Sequence, residues 1–313
     1  MRVLAAFALT WCYLAADAAV LVYHRFDDAR FPSTSISTER MREDFKWLKD
    51  NGYRVVPLKE VIESVKNRRP IDRKTVALTI DDGYKSFYES GLGVFKEFGY
   101  PFTVFAYVEA THDAFADFMS WEQLREVAEY GSVQLHTYSH PHLTRLGSQA
   151  LKAEIEQAKT HFEQNMGYPA EYVAYPFGEY NAEVRQAHEA AGFSTLLNYN
   201  GGMIGHTSDL GNLDRVGVTG KWPIKSLVDR YALEAEWEGE IVQNNRIGTI
   251  RATFKNPIDR VLLVVTGYPD RWVDVQDGHL EVKVDQPFKN SRTLIALKDG
   301  KGGITTRLIM QKE

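Results

Sequence analysis

The sequence predicts an α/β protein: a distorted (β/α)7-type barrel followed by a small all-β sandwich. Three observations carry that prediction. Short β-rich apolar runs alternate with longer amphipathic segments through the first two thirds of the chain, the order expected of a parallel sheet with covering helices. Those runs do not alternate polar with apolar residues, so they suit strands buried on both faces. After about Ala235 the helical pattern stops, and short strands follow one another across turns such as NP, DG and KDGKGG.

In order, the barrel units are AVLVYH and a helix over 38–51, VALTI and a helix over 84–98, and FTVFAYV with a helix over 120–129. SVQLH follows with a helix over 148–165, YVAYP with a helix over 182–191, then FSTLLNY and DRVGV. No G-x-G-x-x-G turn is present, which favours a barrel over an open doubly wound sheet. The acidic stretch EAEWEGE joins the barrel to GTIRATF, RVLLVVTGY, WVDVQ, HLEVKV, RTLIALK and ITTRLIM, read as an antiparallel sandwich. The expected organisation is a signal peptide over 1–18, a catalytic domain over 19–234 and a β-sandwich accessory domain over 235–313.

The leader is read from Arg2, the apolar run from Val3 to Leu14, and small residues at Ala16 and Ala18. That run is shorter than the roughly 20 residues needed to span a bilayer, so the expectation is export to the periplasm or the extracellular space, with no stable membrane span. Cys12 is the only cysteine and leaves with the leader, which excludes disulfides and thiol chemistry from the mature protein. The leader takes one basic and one acidic residue with it, so the net charge of -5 is unchanged. A negative chain without basic runs argues against nucleic acid as partner, whereas a neutral polymer meets no repulsion. Oligomeric state is not legible.

In a parallel barrel the active site lies where strands end at the carboxyl face. The strand ends carry His24 after VLVY, Asp81 and Asp82 after VALTI, His136 after SVQL, and Pro176, Phe177 and Gly178 after YVAY. Two histidines from HTYSH, His136 and His140, with the Asp82 carboxylate form a common catalytic metal set that leaves a position open for water. Thr137 stands where a zincin would carry glutamate, which excludes that protease class. Asp81 cannot point the same way as Asp82 along an extended backbone and is free to act as base. His24 can protonate a leaving group, its unperturbed pKa being near 6.5. Such a set describes metal-assisted hydrolysis of an acyl bond.

TIDDGY, HTYSHPHL and AYPFGEYN resemble the first three motifs of the polysaccharide deacetylases, the NodB-homology group or carbohydrate esterase family 4, and the likeness runs from about Val20 to Tyr231. The resemblance implies a base at Asp81, a divalent metal on Asp82, His136 and His140, most often Zn2+ with Co2+ or Ni2+ as alternatives, and an oxyanion contact from the Phe177 backbone N–H. The family's late L-x-H motif is missing here. LVYHRF instead resembles the permuted poly-N-acetylglucosamine deacetylase branch, in which the first strand delivers the acid, so His24 inherits that role.

The arginine that usually opens the third motif is replaced by Ala174, and Arg215 in LDRVGV is the candidate to hold Asp81 in its place. Tyr84, Tyr138, Trp121 and Tyr180 are candidate stacking surfaces for sugar rings. His142 offers a further imidazole, but Asp82 already completes the metal set. The expected activity is removal of acetyl groups from N-acetylglucosamine units of a polysaccharide, with poly-N-acetylglucosamine favoured. Peptidoglycan, chitin oligosaccharides and an inactive carbohydrate-binding role remain open.

Overall fold

Strand β1, Asp17–Tyr23, is buried along its whole length, and that burial organises the first half of the molecule. The structure, a computed structural model, describes residues 17–311. Six more strands continue the parallel ring from β1: β2 (Thr75–Ile80), β3 (Thr103–Ala106), β4 (Ser132–Leu135), β5 (Tyr172–Ala174), β6 (Thr195–Leu197) and β7 (Val216–Gly217), while the two-residue strand Arg54–Val55 also pairs parallel with β2. They pair in the order β7-β1-β2-β3-β4-β5-β6. A parallel bridge between Leu197 and Leu213 brings β6 round to the chain entering β7, closing a distorted ring. The short strand Ile204–Gly205 pairs antiparallel with the start of β1, an irregularity that the apolar pattern did not reveal.

The β1 side chains divide strictly by parity, as the pleat requires. Ala19, Leu21 and Tyr23 join the outer core under the helices, whereas Ala18 and Val20 face a second cluster with Ala77, Phe105, Ala174 and Leu197 inside the ring. The longer helices are α1 (Thr38–Asp50), α2 (Leu58–Lys66), α3 (Leu92–Phe98), α4 (Trp121–Ala128), α5 (Ser148–Met166) and α6 (Ala182–Ala190), and short helical turns lie at Val108–His112 and Ile224–Val228. Sequence reading missed α2, whose Leu58, Val61, Ile62 and Val65 cover the inner cluster. The segment expected to be helical from Tyr84 begins at Lys85 and passes through a π-helical turn over Phe87–Gly91, which leaves Tyr84 ahead of the helix. Ser120 and Gln123 form a reciprocal capping box that fixes the start of α4.

The C-terminal part is two antiparallel-rich sheets. One contains β8 (Ala235–Glu238), β9 (Arg246–Phe254) and β12 (His279–Pro287); the other contains β10 (Arg260–Val265), β11 (Arg271–Asp274), β13 (Arg292–Lys298) and β14 (Gly303–Met310). Their inner faces enclose Ile247, Ile250, Phe254, Leu263, Ile295 and Leu297. The stretch read as an acidic joint is itself a strand, β8, because Ala235 to Glu238 pair with Phe254 to Arg251. Tyr231–Ala232 likewise pairs with Gly303–Ile304. Most of the leader expected over 1–18 falls on residues outside those described; its last two, Asp17 and Ala18, belong to β1, and the Asp17 carboxylate accepts the Ala232 N–H at 2.7 Å.

Candidate metal centre

The ring's inward parity delivers the polar residues to one mouth. In β2, Ala77 faces the inner cluster and Thr79 and Asp81 follow on the same face; in β4 that face carries Gln134 and then His136. Asp81 continues the ladder, its N–H donating to the Tyr23 carbonyl at 2.9 Å, which sets it beside the end of β1, where His24 follows. Asp82 then adopts φ +70°, and this left-handed step turns its carboxylate away from Asp81 toward the imidazoles. His140 (φ +53°), Thr137 (φ +67°) and Phe177 (φ +58°) share this sparsely populated conformation around the same mouth. Left-handed backbone on residues as bulky as His140, Thr137 and Phe177, gathered around one mouth, points to a functional site.

Asp82, His136 and His140 each present one ligand atom, and these atoms lie within 4.8 Å of one another. Asp82 Oδ1 is 3.4 Å from His136 Nε2 and 3.3 Å from His140 Nε2. The Nδ1 of His136 lies 2.8 Å from the Ala174 carbonyl, a bond in which the nitrogen donates and which leaves Nε2 as the free electron pair. The donor set therefore fits a divalent cation: two neutral imidazoles, one carboxylate and a preset orientation. His140 is steadied through its loop, since the buried Glu154 carboxylate on α5 accepts the N–H of Tyr138 at 2.8 Å and of Ser139 at 2.6 Å.

Arg215 is fully buried and holds Asp81 with two parallel bonds, Nη1 to Oδ1 at 2.6 Å and Nη2 to Oδ2 at 2.7 Å. Its Nε donates to the Asn198 carbonyl at 2.9 Å, which fixes the fork. The sequence placed Arg215 at the end of a strand; it stands just before β7, and its guanidinium lies within the ring, 5.2 Å from the Phe105 ring centre and with Nη1 donating to the Thr79 hydroxyl at 3.2 Å. Burial alone would push the Asp81 carboxyl up, but the Arg215 charge and its paired hydrogen bonds outweigh it and hold the group below the usual carboxylate range. Burial also opposes ionisation of Asp82, and hydrogen bonds from the His136 and His140 rings in their protonated form overcome it, holding that carboxyl well below its ordinary value; a bound cation would take the place of those protons. Asp81 Oδ2 lies 3.9 Å from His136 Nε2, within reach of anything that binds between the imidazoles.

His24 is half-buried, with its ring edge-on to Tyr199 at 5.9 Å. Tyr199 was not singled out from the sequence. It is wedged in place: a Cβ on Gly178 would lie 2.6 Å from its backbone nitrogen, and one on Gly217 would meet its hydroxyl. Phe177 stacks on His142 at 4.2 Å and meets His140 edge-on at 4.7 Å. His142 turns to Glu179 at 2.7 Å and stands apart from the metal set.

The expected sugar-stacking rings need correction. Tyr84 is covered on both sides, by the Arg25 guanidinium at 3.5 Å and by Phe118 at 4.7 Å. Trp121 packs against the barrel core. Tyr138 lies against His161 of α5 at 5.3 Å, because Glu154 draws its backbone toward the helical layer. Tyr180 stacks on Tyr175 at 5.5 Å, and its hydroxyl accepts from Asn212 at 2.7 Å. Loop position located these residues without fixing which way they face. Tyr107, 5.6 Å from His140, is the ring beside the imidazoles that sequence reading passed over.

Residues 68–196 match the family model described as polysaccharide deacetylase. Bacillus subtilis YxkH, which carries the name of a polysaccharide deacetylase, is 27% identical over 205 residues, covering 65% of this chain and 72% of that protein. The poly-beta-1,6-N-acetyl-D-glucosamine N-deacetylase of Escherichia coli K12 is 34% identical over 148 residues, which is 42% of this chain and 20% of that protein. The structure of IcaB from Ammonifex degensii superposes with a TM-score of 0.58 at 24% identity, covering 65% of this chain and 92% of that one. Streptococcus pyogenes deacetylase PplD, solved with acetate, gives 0.63 at 21% identity, covering 68% and 97%. At these identities the structural likenesses establish the fold.

Proposed function

We propose, from the premise that this chain belongs to the polysaccharide deacetylase family and is a hydrolase, that it is an exported, metal-dependent N-deacetylase acting on N-acetylglucosamine units of poly-N-acetylglucosamine. The observation that carries the reading is the Asp81 carboxylate, held ionised by the Arg215 fork and set 3.9 Å from a metal-set imidazole. An acid group buried this deeply is kept charged only if charge is needed there, and a general base needs it.

Asp82, His136 and His140 would hold the cation, with Zn2+ the best match to this donor set and Co2+ or Ni2+ able to replace it. The ion would supply Lewis acidity toward the acetyl carbonyl and lower the pKa of water. Asp81 takes the proton of the attacking water, and the Arg215 fork keeps its lone pairs aimed at the mouth. His24, on the neighbouring strand end, gives a proton to the amine as the C–N bond breaks. The Phe177 N–H, in the strained turn after β5, contributes a donor toward the developing oxyanion. Delivery of the acid from β1, together with the E. coli relative's name, supports poly-N-acetylglucosamine over peptidoglycan or chitin. Among the described residues no helix is long and apolar enough to cross a membrane.

Acetate release from β-1,6- and β-1,4-linked N-acetylglucosamine oligomers and cell-wall fragments, with and without chelator, tests the reading. Release should be greatest from the β-1,6 series, stop with chelator and return with zinc. No release from any substrate after zinc or cobalt reconstitution would leave only a binding role.

A further inference from the structure

Three of the large apolar side chains left exposed belong to loops at the carboxyl ends of strands: Phe31 after β1 (41%), Phe115 after β3 (43%) and Phe177 after β5 (44%). They are not scattered. The Arg25 guanidinium lies over Phe31 at 4.0 Å and over Tyr84 at 3.5 Å, and Tyr84 stacks on Phe118 at 4.7 Å. Phe118 meets Tyr107 at 5.5 Å, Tyr107 meets His140 at 5.6 Å, and His140 meets Phe177 at 4.7 Å. Phe115 joins the same series edge-on to Tyr107 and Phe118 at 6.4 and 6.3 Å. The rings, with the Arg25 guanidinium as the link between Phe31 and Tyr84, thus form a continuous arc across the mouth, and one member, His140, belongs to the metal set.

The arc is also held rigid. Arg25 is buried and paired with Asp28 at 2.8 Å, while Arg30 reaches Asp117 at 3.0 Å and ties the loop after β1 to the loop after β3. Exposed apolar rings cost solvation, and fixing them in place removes the entropy that binding would otherwise take from them. The interior links of the arc are covered, so the ring surface open to a ligand lies at Phe31, Phe115 and Phe177, with the metal set between the first two and the last.

We infer that Phe31, Phe115 and Phe177 are stacking subsites for hexosamine rings flanking the unit at the metal centre, so that the protein grips an interior stretch of a polysaccharide chain. The inference rests on the deacetylase reading and specifies where the polymer lies. A pyranose presents an apolar C–H face to an aromatic ring and keeps its hydroxyls in water, so a neutral polymer fits a rigid row of rings that carries little free charge. Continuity with His140 selects the polymer over a protein partner or a lipid surface, because an occupant of the arc must pass over the metal set.

The test is isothermal titration of the zinc-loaded His24→Gln protein with β-1,6-linked N-acetylglucosamine oligomers of one to six units, compared with the same protein carrying Phe31→Leu and Phe115→Leu. Affinity should rise with length in the parent, and the leucine pair should lose about tenfold for the hexamer with little change for the monomer, each ring being worth roughly a few-fold. Phe31→Tyr and Phe115→Tyr keep the rings and should keep the affinity. Length-independent affinity, or a leucine pair that still binds the hexamer fully, overturns the inference. So does a leucine pair whose only loss is partition to phosphatidylglycerol vesicles, which would assign the arc to a membrane. Length-dependent binding without acetate release from native enzyme would instead remove the deacetylase reading and leave the arc standing.

Discussion

The barrel mouth and the C-terminal sheets use opposite means to stay folded. At the mouth, left-handed backbone falls on Thr137, His140 and Phe177 as well as Asp82, whereas in the C-terminal sheets its non-glycine positions are Asn and Asp alone; and a guanidinium and two carboxylates lie within the ring or at its rim with almost no access to water. In the C-terminal sheets β9 and β10 alternate buried and half-buried residues, and their ion pairs, such as Arg251 with Glu281 at 3.1 Å, lie on the surface. Surface pairs of that kind contribute little, so the apolar cluster around Ile250 and Leu263 carries the stability there. The mouth spends stability on preset charge, whereas the sheets hold no comparable preset charge; changes in the two regions should therefore separate activity from stability in opposite ways.

The sharpest break comes from Asp81→Asn. Loss of a general base should lower turnover about 1,000-fold, within the usual range for such groups, while metal content stays the same because Asp82 is the ligand. The variant should also be less stable, since Arg215 keeps its charge in a fully buried position and loses its counter-ion. Adding Arg215→Met should recover most of the melting temperature and none of the activity. Steady-state kinetics, metal analysis and calorimetry together check this. Loss of metal in Asp81→Asn would exchange the roles of the two aspartates.

Ile250→Ala probes the other region. Ile250 is fully buried between the two C-terminal sheets, so truncation should cost about 2–5 kcal/mol and lower the melting temperature by several degrees. Turnover per folded molecule on a small acetyl ester should remain native below the transition. A matching loss of turnover at low temperature would show that the sheets shape the mouth directly.

The two regions also differed in how plainly their sequences spoke. VALTI and AVLVYH announced ring strands because burial on both faces removes the alternation that other strands show. The same logic set His24, Asp81, Asp82 and His136 at strand ends, and the structure brings them to one mouth. Helix α2 carried a readable periodicity at Leu58, Val61, Ile62 and Val65 and was passed over because its nine residues fall between two short strands. The orientation of Tyr138 was not legible, because it depends on Glu154, 16 residues away on a helix that packs there only in the folded chain. Tyr199 and Tyr107 were hidden for the same reason: nothing near either in sequence names the histidine that each one touches. In EAEWEGE, acidity suggested a joint, yet the alternation of half-buried Ala235 and Trp237 with exposed glutamates is that of an edge strand.

Asp214 lies where the two regions meet and carries the smallest of the expected effects. Its carboxylate accepts from Asn198 at 2.7 Å in the barrel and from the Thr306 hydroxyl of β14 at 2.9 Å, and it packs directly against Gly202. Burial pushes its pKa up from 3.8 to about 6, against the lowering effect of the Asn198, Thr306 and Asn200 hydrogen bonds. The folded state therefore holds this proton more tightly than the unfolded chain does. Its contribution to stability is complete below the unfolded value and is lost as pH rises through about 6. Asp214→Asn cannot ionise, keeps an amide oxygen for Asn198 and turns an N–H toward the Thr306 hydroxyl oxygen, so its melting temperature relative to native protein should climb between pH 4 and pH 7 by about one to three degrees. Asp17, also raised to about 6 mainly by burial, titrates identically in both proteins and cancels from the difference. Thermal scans of the pair across that range decide it: a constant offset would mean that the carboxylate is ionised at the junction throughout, and that barrel and sheets are joined there by charge rather than by a shared proton.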